Sequence, residues 1–191
     1  MMRTALIAAV VVLTLAGCAS TETPEPADDA TEAEAGVEFV LSSPDLDEEG
    51  YLPSWAVGSA GSFCNGENRS PRLEWENAPE GTAGFAVTMT DPNYPVYTHW
   101  IVTGIPADDD ALESAAGGLV ENGVLGTSGE GEDTGGPGIY VGPCVVDNGY
   151  LYTVYALDEP VTGDADTTLI DFSGQITDHV LATAELEVKR H

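Results

Sequence analysis

Residues 85–105 read FAVTMTDPNYPVYTHWIVTGI, two apolar runs separated by a proline-rich turn. The runs Phe85 to Met89 and Trp100 to Ile105 are rich in β-branched and aromatic residues and are bounded by Pro, Gly or Asp, which is typical of short β-strands. The turn between them begins with Asp91-Pro92-Asn93-Tyr94-Pro95. This order of strand, turn and strand places the Asp91 carboxylate and the His99 imidazole at neighbouring strand ends.

The rest of the chain adds further strands. Leu151 to Leu157 has the same β-branched and aromatic character, and Val37 to Ser42 and Ala184 to Val188 are weaker strand candidates. No long helical period occurs in the middle of the chain. Beyond its first 36 residues the chain is long enough for one domain with its own core. The pattern predicts a mainly β protein, built as a β-sandwich.

The best helix lies near the C-terminus, from Thr168 to Ala182. Apolar residues recur there every three or four positions, at Leu169, Phe172, Ile176 and Val180. We expect this helix to be peripheral to the sandwich. Glu113 to Gly138 is rich in glycine and acidic residues and is predicted to be a long loop.

The order of these segments resembles the phosphatidylethanolamine-binding protein (PEBP) family, in its bacterial Raf-kinase-inhibitor-like branch. The resemblance implies a PEBP-like β-sandwich with a peripheral C-terminal helix over residues 37–191. Besides the Asp91 and His99 segments, it rests on Cys64-Asn65-Gly66-Glu67-Asn68-Arg69-Ser70-Pro71-Arg72-Leu73-Glu74-Trp75, Ile105-Pro106, Gly142-Pro143-Cys144, Tyr152 to Asp158 and Asp178-His179-Val180-Leu181-Ala182.

The N-terminus has the features of a lipoprotein export signal. Arg3 precedes an apolar run, Ala5 to Leu15, that is too short to remain in a bilayer as a spanning helix. The run ends in Leu15-Ala16-Gly17-Cys18, the lipobox pattern of bacterial lipoproteins. We interpret residues 1–17 as a signal peptide and Cys18 as the lipidated residue. The alternative is an ordinary signal peptide with an incidental cysteine.

Residues 18–36 consist mainly of Thr, Glu, Pro, Ala and Asp. Such a segment buries too little apolar surface to offset its chain entropy, and repulsion between its carboxylates favours an extended form. We interpret it as an acidic, disordered tether for the domain 37–191. The protein is then exported and anchored to the cell membrane by its lipid alone, with the domain outside the cytoplasm.

Acidic residues outnumber basic ones by 33 to 5, and the formal net charge is −28. A charge of this sign argues against nucleic acid and against anionic lipid headgroups as partners. The simplest interpretation is a well-solvated surface. Adaptation to high salt, which screens the self-repulsion, is an alternative.

Five residues are candidates for a small polar pocket. Asp91 accepts hydrogen bonds and is suited to fixing a histidine tautomer, so that His99 donates to an anion from its other nitrogen. Gly142 lets a ligand approach the backbone, whose N–H groups bind oxyanions. Tyr152 and Tyr150 carry hydroxyl donors. The resemblance matches four of these residues to the family pocket for phosphate-like headgroups: Asp91, His99, Gly142 and Tyr152. A purely structural histidine is the alternative for His99.

Two positions depart from the family pattern. Asn93 stands in a turn that usually reads Asp-Pro-Asp-Ala-Pro, and Tyr150-Leu151-Tyr152 replaces His-Arg-Tyr before the late strand. A second imidazole is thereby replaced by a phenol that is neutral at pH 7. We therefore expect weak binding of doubly charged phosphate, and a preference for a zwitterionic headgroup or a carboxylate.

The resemblance also places Cys64 and Cys144 near the pocket rim. Thiols of exported domains tend to oxidise, and we predict a Cys64–Cys144 disulfide. Two independent buried thiols are the alternative, since sequence alone does not fix the geometry of a bridge. Trp100 follows His99 on the same strand, and alternation assigns it to the core.

No motif supports catalysis. Neither Gly-x-Ser-x-Gly nor His-Glu-x-x-His occurs, no serine or cysteine completes an Asp91–His99 dyad, and the histidines are too scattered for a metal site. We predict a non-catalytic cell-surface binding module, without metal or cofactor, for a small anionic or zwitterionic group of the phosphate or phosphoethanolamine type. The alternative is an inhibitor of an extracellular protease that acts through surface loops, with Glu113 to Gly138 as the contact.

Overall fold

The computed structural model describes residues 37–59, 64–95, 98–114, 124–126, 139–163 and 167–191. The predicted signal peptide, Cys18 and the tether lie outside these residues. In chain order the elements are β1 (Val40–Ser42), a 3₁₀ turn (Ser54–Ala56), β2 (Leu73–Glu76), β3 (Gly84–Thr90), β4 (Thr98–Pro106), β5 (Ala111–Leu112), β6 (Val124–Gly126), β7 (Gly149–Leu157), α1 (Leu169–Ile176) and β8 (Val180–Lys189).

The strands form two antiparallel sheets that pack face to face. One sheet has the order β1-β2-β5 and the other β6-β4-β3-β7-β8. Alternate residues of each strand point into the space between the sheets, as Phe85, Val87 and Met89 do on β3. Trp100 joins them there and is fully buried, as alternation predicts. The predicted β-sandwich is confirmed.

Helix α1 covers part of the outer face of the five-stranded sheet. Thr168 caps it, because its hydroxyl accepts the N–H of Asp171 while the Asp171 carboxylate accepts the N–H of Thr168. Phe172 and Ile176 pack on outward residues of the sheet, Ala86, Ile101 and Leu157. The helix is therefore peripheral, as predicted, and it closes a second, smaller core. No helix in the described part of the chain is long and apolar enough to cross a bilayer.

The C-terminal boundary of the predicted helix is wrong. The helix ends at Ile176, and Val180–Lys189 is strand β8 rather than the last turn of a helix. Val180 fits a helical period only by coincidence. From Ala182 onward every second side chain points inward, and the whole segment pairs with β7. The predicted strand from Ala184 to Val188 lies in the second half of this longer strand.

Other boundaries also differ from the prediction. The first strand begins at Val40 rather than Val37. The predicted loop Glu113 to Gly138 contains a short strand, β6, whose backbone pairs with Ile101–Thr103 of β4. A three-residue strand in a glycine-rich stretch leaves no readable period, which is why composition predicts loop there. Most of that stretch lies outside the described residues.

The sheet order gathers three strand ends at one end of the sandwich. Because β4, β3 and β7 are antiparallel neighbours, the end of β3 lies beside the starts of β4 and β7. Met89 and Thr90 pair with Trp100 and Thr98, so His99 between them is the extra residue of a β-bulge. The bulge removes His99 from strict alternation, and its ring meets Tyr150 of the inner core.

The second core provides a test of the packing. Phe172 is 1% exposed and contacts Tyr155 edge to face, whereas Ile170 on the same helix is 84% exposed. We expect Phe172→Ala to lower the free energy of unfolding by about 3–4 kcal/mol. Ile170→Ala should change it by less than about 0.5 kcal/mol. Urea denaturation of the two variants measures both. Equal effects would show that α1 does not pack as described.

Candidate functional site

Asp91 is held rigidly just after β3. Its side chain is buried, and one carboxylate oxygen accepts the backbone N–H groups of Asn93 (2.8 Å) and Tyr94 (3.2 Å). The other oxygen accepts the side-chain amide of Asn148 at 2.7 Å. Asn93 in turn donates to the Asn148 side-chain oxygen, which joins the two loops. Sequence reasoning missed Asn148, since nothing in its local motif relates it to Asp91.

His99 is held by a main-chain carbonyl. Its Nδ1 lies 2.7 Å from the carbonyl oxygen of Val141, and the Val141 N–H donates to the His99 carbonyl at 2.9 Å. In the neutral ring Nδ1 therefore carries the proton and Nε2 the lone pair. Burial lowers the pKa of His99, while the Val141 carbonyl and the charge of Asp91 oppose this effect. The expectation that Asp91 fixes the tautomer is wrong, because Val141 does so and Asp91 acts through its charge.

Gly142 serves packing rather than ligand access. Its N–H donates to the side-chain oxygen of Asn68 at 2.8 Å. A Cβ added at this position would lie 2.5 Å from the nitrogen of Gly58 and 2.7 Å from the carbonyl carbon of Val57. The glycine is needed because two chain segments cross there. The predicted role, in which its backbone offers an N–H to an oxyanion, does not fit this geometry.

The two candidate tyrosines use their hydroxyl groups inside the protein. Tyr152 donates to the hydroxyl of Tyr140 at 3.0 Å, and Tyr140 donates to the carbonyl of Ala56 at 3.1 Å. Burial raises the pKa of both phenols. The Tyr150 hydroxyl accepts the N–H of Val145 at 3.1 Å, and its ring meets His99 edge to face at 5.1 Å. Tyr150 therefore lies next to His99 at the site, and the Tyr152 hydroxyl is used by Tyr140 within the protein.

The Cys64–Cys144 disulfide is present, as predicted, with its Cα atoms 5.2 Å apart. It lies against Gly58, where an added Cβ would be 2.8 Å and 2.9 Å from the two sulfurs. Beside it, the Asn68 side chain donates to the Tyr140 carbonyl as well as accepting from Gly142. The bridge and this amide fasten the segment that carries the Val141 carbonyl.

His179, Tyr94 and Tyr97 differ in their position relative to the site. His179 lies away from the site, 2.9 Å from Asp158, and this hydrogen bond raises its pKa. Tyr94 is largely exposed beside the Asp91 turn, and Tyr97 lies outside the described residues. Within the described ranges, no group of three or more His, Cys, Asp or Glu residues is arranged to hold a metal ion.

These features define a class: an antiparallel β-sandwich with a buried aspartate and histidine at one end, braced by a disulfide. The family model for phosphatidylethanolamine-binding proteins matches residues 42–191. The chain therefore belongs to the phosphatidylethanolamine-binding protein family, and members of this family bind ligands.

Several relatives support this assignment. YbhB of Escherichia coli is 36% identical over 155 residues, covering 76% of this chain and 96% of YbhB. A protein of Mycobacterium tuberculosis named "Putative lipoprotein LppC" is 30% identical over 167 residues, covering 76% of this chain and 74% of its own length. The crystal structure of E. coli YbcL, described as a member of the mammalian PEBP family, superposes with a TM-score of 0.69 at 29% identity. That superposition covers 81% of this chain and 99% of YbcL.

Substitution of two glycines by alanine should have opposite effects on the stability of the protein. Gly142→Ala forces a Cβ against backbone atoms and should destabilise the protein by about 2–3 kcal/mol. Gly174 lies in α1 with nothing within 4 Å of an added Cβ. Gly174→Ala should therefore stabilise by about 0.5–1 kcal/mol, because alanine is the better helix former. Thermal unfolding of both variants measures the sign. A neutral Gly142→Ala would contradict the close crossing.

The two shifted histidines should titrate on opposite sides of the ordinary value of 6.5. We expect the NMR midpoint of the His99 ring protons below 6.5 and that of His179 above it. Since unfolded His99 binds its proton more readily than folded His99, the His99 contribution to stability falls as the pH drops below 6.5. The His179 contribution has the opposite sign and is lost as the pH rises through its folded pKa.

The control for this titration is Asp158→Asn. It should return the His179 midpoint towards 6.5 and leave that of His99 in place, because Asp158 is the first cause of the His179 shift. A His99 midpoint above 6.5 would show that the Val141 carbonyl and the Asp91 charge together outweigh burial.

Proposed function

We propose that the chain is a non-catalytic binding module, tethered outside the cytoplasm through a lipid on Cys18. Its site at Asp91 and His99 binds a small zwitterionic group of the phosphoethanolamine type, whose ammonium donates hydrogen bonds to the Asp91 carboxylate and to Nε2 of His99. The observation that carries the proposal is the buried His99 ring, fixed by the Val141 carbonyl beside the buried Asp91 carboxylate. Such buried polar groups, fixed in orientation at one end of a sandwich, support ligand recognition.

The charge of the site supports a ligand of low net charge. A lowered pKa keeps His99 neutral near pH 7, so the ring adds no positive charge. Among the described residues, no ion pair includes Asp91. Its carboxylate accepts hydrogen bonds from neutral donors. A doubly charged phosphate would approach a protein of net charge −28 against long-range repulsion. A zwitterion meets a smaller barrier, and its ammonium group is a donor for the Asp91 carboxylate and for Nε2 of His99, which both accept hydrogen bonds.

The state of the reactive side chains supports a module without catalysis. Cys64 and Cys144 are joined in a disulfide, so neither offers a thiolate. The buried phenols of Tyr140 and Tyr152 have raised pKa values and bond to each other. Neither is suited to proton transfer near neutral pH.

The location of the module follows from the N-terminal pattern. The lipobox at Cys18 indicates export and lipid attachment, and a relative of this chain bears the name of a lipoprotein. A disulfide is expected of an exported domain, since the cytoplasm keeps thiols reduced.

The test follows the His99 ring protons by NMR while phosphate, phosphoethanolamine and acetate are added at two ionic strengths. We expect saturable shifts with phosphoethanolamine at pH 7.5, and weaker binding of phosphate and acetate, which have no ammonium group to donate to Nε2 of His99 and to the Asp91 carboxylate. Higher salt should reduce the disadvantage of phosphate, because it screens the negative protein. Asp91→Asn, which preserves shape, should change the ligand order or abolish the shifts.

The control for ligand binding is Asp158→Asn, which alters a carboxylate next to the remote His179 and should leave ligand binding intact. No response at His99 from any ligand, with the fold intact, would exclude a working small-ligand site. Tightest binding of phosphate at low salt would contradict the argument from charge.

A further inference from the structure

The edge strands of the two sheets approach each other on one side of the sandwich and leave a groove between them. In the described part of the chain, β1 is the outer strand of the three-stranded sheet and β8 that of the five-stranded sheet. A groove of about 350 Å³ lies between them, lined by Glu38–Leu41 and Thr183–Glu185. The side chains of Phe39, Leu41 and Ala184 belong to the main core and border this groove. None of the residues that line the groove belongs to the proposed ligand site at Asp91 and His99.

The strands beside the groove expose much apolar surface. The described residues expose eight large apolar side chains, and half of them lie on β1, on β8 or just before β1: Val37, Val40, Val180 and Leu181. Exposed apolar residues that cluster at a sheet edge indicate a surface that binds another chain.

The outer edge of β8 already accepts a short extended segment at one end. The Lys189 N–H donates to the Gly50 carbonyl at 3.0 Å, and its carbonyl accepts the Leu52 N–H at 2.9 Å. Tyr51 and Lys189 thus form a parallel bridge. The segment at Tyr51 therefore lies beside β8 like an additional strand, over a single residue pair.

The hydrogen-bonding groups of the next residues can be assigned from this bridge. In an antiparallel pair, every second residue directs both its N–H and its carbonyl towards its partner strand, and the residues between direct theirs outward. The main-chain N–H and carbonyl of Lys189 are directed outward, away from β7. The pairing with β7 is regular from Lys189 to Ala182. Glu187, Glu185 and Thr183 therefore present outward N–H and carbonyl groups. Among the described residues, β8 pairs with β7 and at this one bridge.

The charges at this edge select the occupant. The side chains of Glu185 and Glu187 are exposed on the outer face of the five-stranded sheet. Glu38 lies on the opposite side of the groove. A second copy of the chain pairing through β8 would bring glutamates together on two proteins that each carry a net charge of −28. That repulsion disfavours a dimer and favours a basic partner.

We infer that the outer edge of β8 binds an extended, basic peptide segment of another protein, which adds to the five-stranded sheet as a further strand. Main-chain hydrogen bonds to Thr183, Glu185 and Glu187 provide the binding, and alternate side chains provide selectivity. Side chains of the guest on one face cover the groove beside Leu41 and Ala184 and are apolar. Those on the other face lie next to the two glutamates and are basic.

A peptide alternating lysine and valine is the probe for this surface. A fluorescein-labelled Lys-Val-Lys-Val-Lys-Val-Lys peptide is titrated with the full chain and followed by fluorescence anisotropy at low and high salt. We expect saturable binding that weakens with salt. The same peptide N-methylated at every residue keeps its charge and side chains but loses its backbone donors. It should bind at least tenfold more weakly.

Hydrogen exchange locates the peptide on the strand. Binding should slow exchange of the outward amides of Thr183, Glu185 and Glu187, while those of Ala184 and Leu186, already paired with β7, should change little. Protection elsewhere with none at the outward amides would overturn the proposal. This readout uses the unaltered protein.

Two charge reversals of equal size separate the edge from general electrostatic attraction. The double variant Glu185→Lys, Glu187→Lys should weaken peptide binding at least tenfold. The control Asp108→Lys, Asp109→Lys makes the same change in net charge on an exposed turn next to β5, at the opposite edge of the three-stranded sheet. It should weaken binding less than threefold. Equal losses in both variants, undiminished binding of the methylated peptide, or no saturable binding would each contradict strand addition.

Discussion

The crossing of the Ala56–Gly58 segment over Gly142 is the constraint on which the candidate site depends. An added Cβ at Gly142 or Gly58 would meet backbone or sulfur atoms at less than 3.0 Å, so the two segments touch through their main chains. The disulfide and the Asn68 side chain hold them in this contact. Because the Val141 carbonyl belongs to one of these segments, the orientation and tautomer of His99 follow from a contact between residues more than eighty positions apart in the chain.

The parts of this arrangement that are local in sequence could be predicted. Strands β3 and β4 are consecutive, and each has a clear β-branched run, so the proximity of Asp91 and His99 follows from the turn between them. The pairing of Cys64 with Cys144 could be expected because, apart from the N-terminal Cys18, the chain has no other cysteine. The helix start could be located from Thr168 and the apolar residues that follow. In each case the signal lies within one element and its flanks.

The incorrect predictions concern the partners of each group rather than its position. Gly142, Tyr152 and Tyr150 lie at the end of the sandwich where they were expected, yet their hydrogen-bonding groups bind Asn68, Tyr140 and Val145. A sequence shows that a hydroxyl or an N–H exists but not which distant atom uses it, because that is decided by packing. The bulge at His99 and the strand at Val180 are of the same kind. Pairing with a neighbouring strand overrides the local period.

Tyr150 stands where the resemblance to the family implies a histidine, and it does more than leave out one imidazole. The Tyr150 ring lies against His99 and its hydroxyl binds the Val145 backbone, so the side chain both fills space and limits solvent access to the remaining imidazole. Burial is the largest influence on the His99 pKa and lowers it. Tyr150 and the lowered pKa therefore act together to keep the His99 imidazole without positive charge. On a protein with a net charge of −28, a cationic pocket would bind doubly charged anions against long-range repulsion. The neutral imidazole carries a single proton, and the crossing at Gly142 holds that proton on Nδ1 by positioning the Val141 carbonyl.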